Sequence, residues 1–466
     1  MRPPASDVSA GQLGRYAGIL AAWRDRFLLR PIARSSFLRN VTITATGSIT
    51  GQLIQVAASP ILTRLYTPAE FGVLSMYMSV CSILVAIATL RYDQAIPLPQ
   101  DEGDAADVLA LALAAVLLVA LMGWAGAEFF GPRLVAMTSQ PTLVHYLWLV
   151  PLTVAGGGSY VALTLWAIRK QAYRRLAITK ITRSTGQSLT QVALGLLHAG
   201  PLGLIIGFAV GQLGGNGSIT LEALRTDAQA LRRISLRGML RAARRHLKFP
   251  LYSCPSALLV AVPMQIPPLL IALYYGVHEA GLFNLASSVL RQPATLCAEA
   301  VGQVFFGKAA ATLRDQPSQL PRLFFTTAGV LFAVGLIPTL ALILLAVPLV
   351  RFVFGSSWVA AGAYVQLMAL VLLAGVTVST VSPIISVTQK QDWQLAVDII
   401  RTVLVLAVFY VAHVVHARPL TAVAAYTGVL LVTYGLFFIV FSLAALAGAR
   451  QARPQGTGGG TASGVE

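Results

Sequence analysis

The chain has 466 residues, 56% of them hydrophobic and only 11% charged, with a mean hydropathy of +0.73. A soluble domain carries about 25% charged residues, so composition excludes a cytosolic enzyme, a secreted disulfide scaffold and a nucleic-acid-binding domain. The net charge of +17 therefore needs another explanation, and its distribution supplies one. Cys81, Cys254 and Cys297 lie in apolar runs with no metal-type spacing, so no disulfide framework, metal site or cofactor is expected.

In chain order, a basic amphipathic segment occupies 1–39, with no cleavable signal expected. Six predicted spans follow over about 40–63, 70–92, 105–128, 143–168, 177–198 and 202–221. Each is long enough for a hydrocarbon core about 30 Å thick at about 1.5 Å per residue. The stretch 222–248 places Leu224, Ala228, Leu231, Ser235 and Met239 on one face among many arginines, the pattern of a basic helix lying on an anionic membrane surface. Six more spans are predicted at about 249–275, 280–306, 323–350, 361–387, 394–415 and 420–447, and a Gly/Thr/Ser-rich tail at 448–466. Gly156, Gly157 and Gly158 in the fourth span, and Pro255, Pro263, Pro267 and Pro268 in the seventh, read as interruptions. Breakers of this kind persist in a membrane only beside a neighbour or a wet cavity. The fold class is thus all-α and polytopic, with about twelve transmembrane helices.

With the N-terminus inside, 28 of the 34 Lys and Arg residues fall on the cytoplasmic side. Only Arg64, Arg133, Arg351 and Arg418 fall outside, and Arg291 and Arg401 lie within spans. This asymmetry predicts that both termini are cytoplasmic. The charge is a topology signal.

The chain also repeats itself. Tyr66, Glu70 and Gly72 after the first span correspond to Tyr275, Glu279 and Gly281 after the seventh, at an offset of 209. Lys170-Gln171-Ala172-Tyr173 echoes Lys390-Gln391-Asp392-Trp393, at 220. Two six-helix halves, 40–221 and 249–447, follow, joined by 222–248. An even span number gives both halves one orientation, and two such bundles around a central cavity are a transporter architecture.

Particular motifs point further. Pro60 to Gly72 (PILTRLYTPAEFG), Leu90 to Pro99 (LRYDQAIPLP), Phe249 to Ser253, Ala280 to Ala286 and Val301 to Phe306 resemble the Wzx-type polysaccharide and lipopolysaccharide exporters. That family belongs to the multidrug/oligosaccharidyl-lipid/polysaccharide (MOP) flippase superfamily, and the resemblance spans about 40–445. It implies a bacterial inner-membrane flippase that moves an undecaprenyl-diphosphate-linked oligosaccharide from the cytoplasmic to the periplasmic leaflet by alternating access. The product would serve O-antigen, capsule or exopolysaccharide export. The partners implied are the lipid-linked oligosaccharide, the phospholipid bilayer, and a polysaccharide polymerase and chain-length regulator.

Such cargo needs cationic side chains in a wet cavity, and Arg suits phosphate oxygens. Arg291 lies mid-span, where a lipid-facing charge costs about 2.5–3.5 kcal/mol, so it is expected to line the cavity or to pair with Glu299 or Asp398. Asp398 and Arg401 share a helical face as a structural pair or an ion-coupling site. Glu299 is a candidate proton or cation site. Arg64, Glu70, Arg91 and Asp93 sit near span ends, as caps or, following the family motifs, at the cavity mouth. Gln52, Gln55 and Gln265, in the paired first and seventh spans, are expected to hydrogen-bond sugars or only each other across the helices, and Gln303 is a further candidate for the cavity.

The competing readings are a cation-coupled drug exporter of the same fold, a membrane glycosyltransferase or polymerase, and a non-transporting scaffold. A drug exporter should cluster its carboxylates in one lobe, and here they scatter. An enzyme should carry a large external loop, and the longest here, about 129–142, holds only Arg133. No GxxxxGK[ST] loop is present.

Overall fold

A computed structural model of the protein describes residues 36–138 and 144–451. The predicted segment 1–39 and tail 448–466 therefore lie mostly outside the described residues. Twelve helices match the twelve predicted spans one for one. In the first half these are α1 (Ser36–Leu65), α2 (Pro68–Ile87), α3 (Glu102–Thr138), α4 (Val150–Arg169), α5 (Tyr173–Leu196) and α6 (Pro201–Leu213). The segment between the halves forms α7 (Asn216–Thr226), α8 (Ala228–Leu231) and α9 (Leu236–Arg245). The second half comprises α10 (Cys254–Tyr275), α11 (Val277–Asp315), α12 (Leu320–Phe354), α13 (Val359–Val381), the short α14 (Ile384–Thr388), α15 (Gln391–Val414) and α16 (Pro419–Gln451).

Nine described spans are long and apolar enough to cross a bilayer on length and hydropathy alone. The other three helices, α1, α5 and α11, are also long but more polar, with Ser48 and Thr63 of α1 and Thr179, Ser184, Ser188 and Gln191 of α5 buried in the protein. Polar residues are affordable there because neighbouring helices, not lipid, solvate them. Gly47 and Gly51 of α1 let α5 approach closely: a Cβ at Gly47 would sit 2.5 Å from Ala177 Cα, and one at Gly51 2.9 Å from Ser184 Oγ.

Four expectations change. The supposed external stretch 129–142 is largely helix, because α3 runs on to Thr138. The sixth span breaks after Leu213, where Gly215 adopts φ +88° and restarts the chain as α7. The linker is three short helices instead of one. Asp227 ends α7 because its carboxylate is drawn to Trp166 Nε1 at 3.0 Å and Lys170 Nζ at 3.0 Å. Ser235 caps α9 by accepting from Gly238 N–H. The glycines and prolines read as interruptions leave α4 and α10 unbroken. In α4 the triple glycine serves packing, with Gly158 closed against Ala88 and Val116.

The halves repeat their packing pair by pair. α1 lies on α5 as α10 lies on α15, α3 on α4 as α12 on α13, and α4 on α6 as α13 on α16. They meet mainly through α2 and α11 on the repeat axis. One pair breaks the symmetry: α10 packs along α2, whereas its counterpart α1 touches α11 only lightly. The side between α1 and α11 is therefore loosely packed, and Thr295 Oγ1 donates to Gln52 Oε1 across it at 3.2 Å.

Candidate functional site

At the Arg-poor end of the bundle the two halves lock together. A methyl group on Gly72 would overlap the carbonyl oxygen of Val277, and one on Gly281 would overlap that of Pro68. Both relations use the offset of 209, so each half closes on the same carbonyl of the other. Trp358, fully buried, donates Nε1–H to Thr63 O at 2.8 Å and meets Phe71 edge-on, with ring centroids 5.0 Å apart. The repeated glutamates each bond within their own half beside this closure. Glu70 completes a capping box with Thr67 at the start of α2, and Glu279 accepts from Tyr364 OH at 2.5 Å.

Next to this closure lies a cavity of about 240 Å³, walled by α10, α11, α13, α15 and α16, with Ser75 and Ser79 of α2 closing one side. Arg291 projects into it and is solvent-accessible while deep inside the bundle. It makes no hydrogen bond or ion pair among the described residues. Arg401 reaches the same cavity. Its Nη2 bonds Asp398 Oδ1 at 2.7 Å, its guanidinium lies 5.5 Å from the Phe437 ring, and its Nε is buried without a partner. Gln265, Asn284 and Ser287 add neutral polar groups, and the Ser287 hydroxyl is also unpartnered. Pro267 and Pro268 lack the amide hydrogens that would bond the carbonyls of Pro263 and Met264, two more cavity residues. The wall thus combines two guanidiniums, one of them unpaired, with small donors and backbone acceptors. Among the described residues its one adjacent carboxylate, Asp398, is already committed to Arg401.

The first half carries the corresponding pocket between α2, α4 and α6, about 220 Å³, lined by Ser82, Thr89, Arg91, Thr153 and Gln212. Ser82 is the repeat counterpart of Arg291. Leu90 and Arg91 both take left-handed backbone conformations (φ 49° and 62°) where α2 ends, which costs non-glycine residues about 1–3 kcal/mol each. Behind this pocket Arg183 is fully used. It donates to Gly211 O at 2.7 Å and Gln212 Oε1 at 2.6 Å, and stacks 3.9 Å from the Tyr160 ring centroid. At the Arg-rich end Arg169 gathers the carbonyls of Ile96, Pro97 and Pro99. Lys170 bonds Glu102 at 2.5 Å as well as Asp227. Burial opposes the charge on Lys170, but the two carboxylates outweigh it and hold its pKa above the ordinary lysine value.

Of the residues singled out in the sequence, Arg291, Gln265 and Arg401 come together in the central cavity. Asp398 stands beside it as the partner of Arg401. Arg91 lines the first-half pocket instead, and Asp93 is buried and accepts from Thr89 Oγ1 at 2.5 Å. Gln52 bridges α1 and α11. Arg64 is exposed at the Arg-poor end and Gln303 is exposed on α11, both away from the cavity. The side chain of Glu299 lies outside the described residues, as does that of Cys297. Cys81 and Cys254 are buried free thiols.

Sequence reasoning missed Asn284, Ser287, Tyr426 and Tyr434. The repeat offset could have found the first, because Asn284 corresponds to the cavity residue Ser75. It also counted Arg183 with the cytoplasmic charges, although Arg183 sits within α5 and faces α4 and α6.

Comparison with known proteins agrees with this architecture. The chain is 25% identical over 342 residues to the "Succinoglycan biosynthesis transport protein ExoT" of Rhizobium meliloti (strain 1021), a match covering 71% of this chain and 65% of that protein's length. Among solved structures, an inward-facing multidrug resistance MATE family transporter of the MOP superfamily superposes with a TM-score of 0.66 at 14% identity, covering 86% of this chain and 96% of that one. The lipid II flippase MurJ in an inward closed conformation gives 0.65 at 13% identity, covering 87% and 91%. These likenesses establish the fold anticipated from the motifs. The family described as "Polysaccharide biosynthesis protein" matches residues 61–363, and the chain, a multi-pass membrane protein with the MOP flippase fold, belongs to that family.

Proposed function

We propose that the protein flips a polyprenyl-diphosphate-linked oligosaccharide across the bacterial inner membrane for export of a surface polysaccharide, with its Arg-rich face and both termini in the cytoplasm. The observation that carries this reading is Arg291, a guanidinium with no hydrogen bond or ion pair among the described residues, open to a cavity of the second half that α2 closes on one side. A cation within a membrane span and without a counter-ion is costly, so it is retained where a ligand supplies the charge. A diphosphate does so with oxygens that suit a planar guanidinium. Gln265, Asn284 and the free carbonyls of α10 suit sugar hydroxyls, which both give and accept hydrogen bonds. The loosely packed side between α1 and α11 lets the polyprenyl chain stay in lipid while the head group enters. Closure at Gly72 and Gly281 corresponds to an inward-facing state, and its release would open the cavity to the periplasm. The names of its relatives, a succinoglycan transport protein and a lipid II flippase, support the same cargo class.

A cation-coupled drug exporter is the second reading, favoured by the MATE likeness. Against it, the described residues hold no group of three or more His, Cys, Asp or Glu that could bind a metal ion, and the cavity charges are cationic. The test reconstitutes purified protein in liposomes with a lipid-linked oligosaccharide and follows lectin access to the sugar. Protein-dependent transfer between leaflets supports flipping. No transfer, combined with proton- or sodium-driven efflux of cationic dyes, would favour the drug-exporter reading.

A further inference from the structure

A third cavity, about 320 Å³, lies at the Arg-rich face between α9 and the start of α3, away from the cargo cavity. Its α9 wall presents Arg241, Arg244 and Arg245, spaced at i, i+3 and i+4 so that all three share one side of the helix. All three are exposed, and none has a hydrogen bond or ion pair among the described residues. The opposite wall carries Asp104 and Asp107. Asp107 is buried and already engaged, accepting the Ser235 N–H at 2.9 Å and packing so closely on Gly238 that a Cβ there would strike its carboxylate. That contact pins α9 to α3 and fixes the arginines in place. Next to them His246 is held below its ordinary pKa, first by burial and then by the charge of Arg245, so the positive charge of the pocket belongs to the guanidiniums.

The edge of α9 next to these arginines is apolar and open. Leu236 is 78% exposed and Leu240, one turn on, is 63% exposed, with Leu247 and Leu251 continuing the strip toward α10. A ligand for this place must put an anionic oxygen group in the pocket and hydrocarbon beside the leucines. Free phosphate satisfies only the first requirement, and a neutral lipid only the second. We infer that the pocket between α9 and α3 binds the phosphate head group of an anionic phospholipid from the surrounding leaflet. The bound lipid would join the segment between the halves to the first half, independently of the cargo. This is more specific than a basic helix attracted to a charged surface, because only the arginines lining the pocket should matter.

The experiment uses the full chain in phosphatidylcholine nanodiscs containing a trace of fluorescent phosphatidylglycerol, with affinity read by titration. Inorganic phosphate and glycerol phosphate serve as competitors. Arg241→Gln, Arg244→Gln and Arg245→Gln should each weaken phosphatidylglycerol binding about fivefold. Arg237→Gln, on the same helix but outside the pocket, should change it less than twofold. Soluble phosphates should compete only in large excess. Equal losses for Arg237→Gln and the pocket variants would overturn the inference in favour of diffuse surface attraction. Competition by inorganic phosphate as effective as that by the lipid would overturn the lipid source. Because the variants are exposed polar substitutions, unchanged melting in phosphatidylcholine alone confirms that the fold is intact.

Discussion

The two halves share one packing plan but use their charges differently. In the first half three cations are consumed, Arg183 by Tyr160, Gly211 and Gln212, Lys170 by Glu102 and Asp227, and Arg169 by a row of carbonyls, while Arg91 lines a pocket with a buried Nε that has no partner among the described residues. In the second half, among the described residues, Arg291 stands without a hydrogen bond or ion pair in a cavity, and Lys390, the counterpart of Lys170, has only the Trp393 ring, at 5.1 Å. A duplicated frame therefore supports two roles. Charges of the first half are mostly satisfied by the protein, and the proposed function assigns to the second half the charges left to be satisfied.

Breaking this contrast should give its largest effect at Arg291. Arg291→Ala should reduce export about 10- to 150-fold at normal protein abundance, since a charge-assisted hydrogen bond contributes about 1.5–3 kcal/mol. Arg291→Lys should keep part of the activity, as polysaccharide yield from a complemented deletion strain will show. Arg401→Ala should act on stability instead. It strands the buried Asp398 carboxylate, which costs about 3–5 kcal/mol, and adding Asp398→Ala should recover part of the loss in detergent melting. Gly72→Ala and Gly281→Ala test the symmetric element. Each places a methyl group against a backbone carbonyl, for about 1–3 kcal/mol of overpacking. Both should raise labelling of a cysteine introduced at Ser75 from the Arg-poor side, and by similar amounts.

The smallest effect belongs to the first half. Lys170→Ala should cost at most about 1 kcal/mol, because the group is partly exposed and solvent screens its pairs. The pH dependence sharpens the point. The folded state raises the Lys170 pKa, so its contribution is complete below the ordinary lysine value and is lost only as pH rises through the higher folded value. Melting curves from pH 7 to 9 should therefore show no loss of this pair.

How much of this was legible in the sequence depends on which residues are asked. Span number, the repeat and the intramembrane position of Arg291 follow from hydropathy and spacing, which act locally. The break after Leu213 was hidden because Gly214 and Gly215 sit in an otherwise apolar run, and glycine marks a break only when its backbone angle is known. The end of α7 depends on Asp227 reaching Trp166 and Lys170, about 60 residues earlier in the chain, and periodicity does not register such contacts. Arg91 and Asp93 shared the family motif, yet they shape the strained end of α2, because a motif does not reveal which cavity a side chain faces. Arg401, Tyr426 and Tyr434 join the site only through the packing of α15 and α16 against α11 and α13.

The central claim is that the unpaired cation of the second half carries a lipid-linked sugar across the membrane. It is tested most directly by locating complete lipid-linked repeat units in a strain lacking the gene but retaining the initiating transferase, using a periplasmic glycosidase as the probe. The account predicts intact units trapped on the cytoplasmic side, released by the wild-type gene and not by Arg291→Ala at equal abundance. Normal periplasmic exposure without the gene, or full rescue by Arg291→Ala, would contradict it.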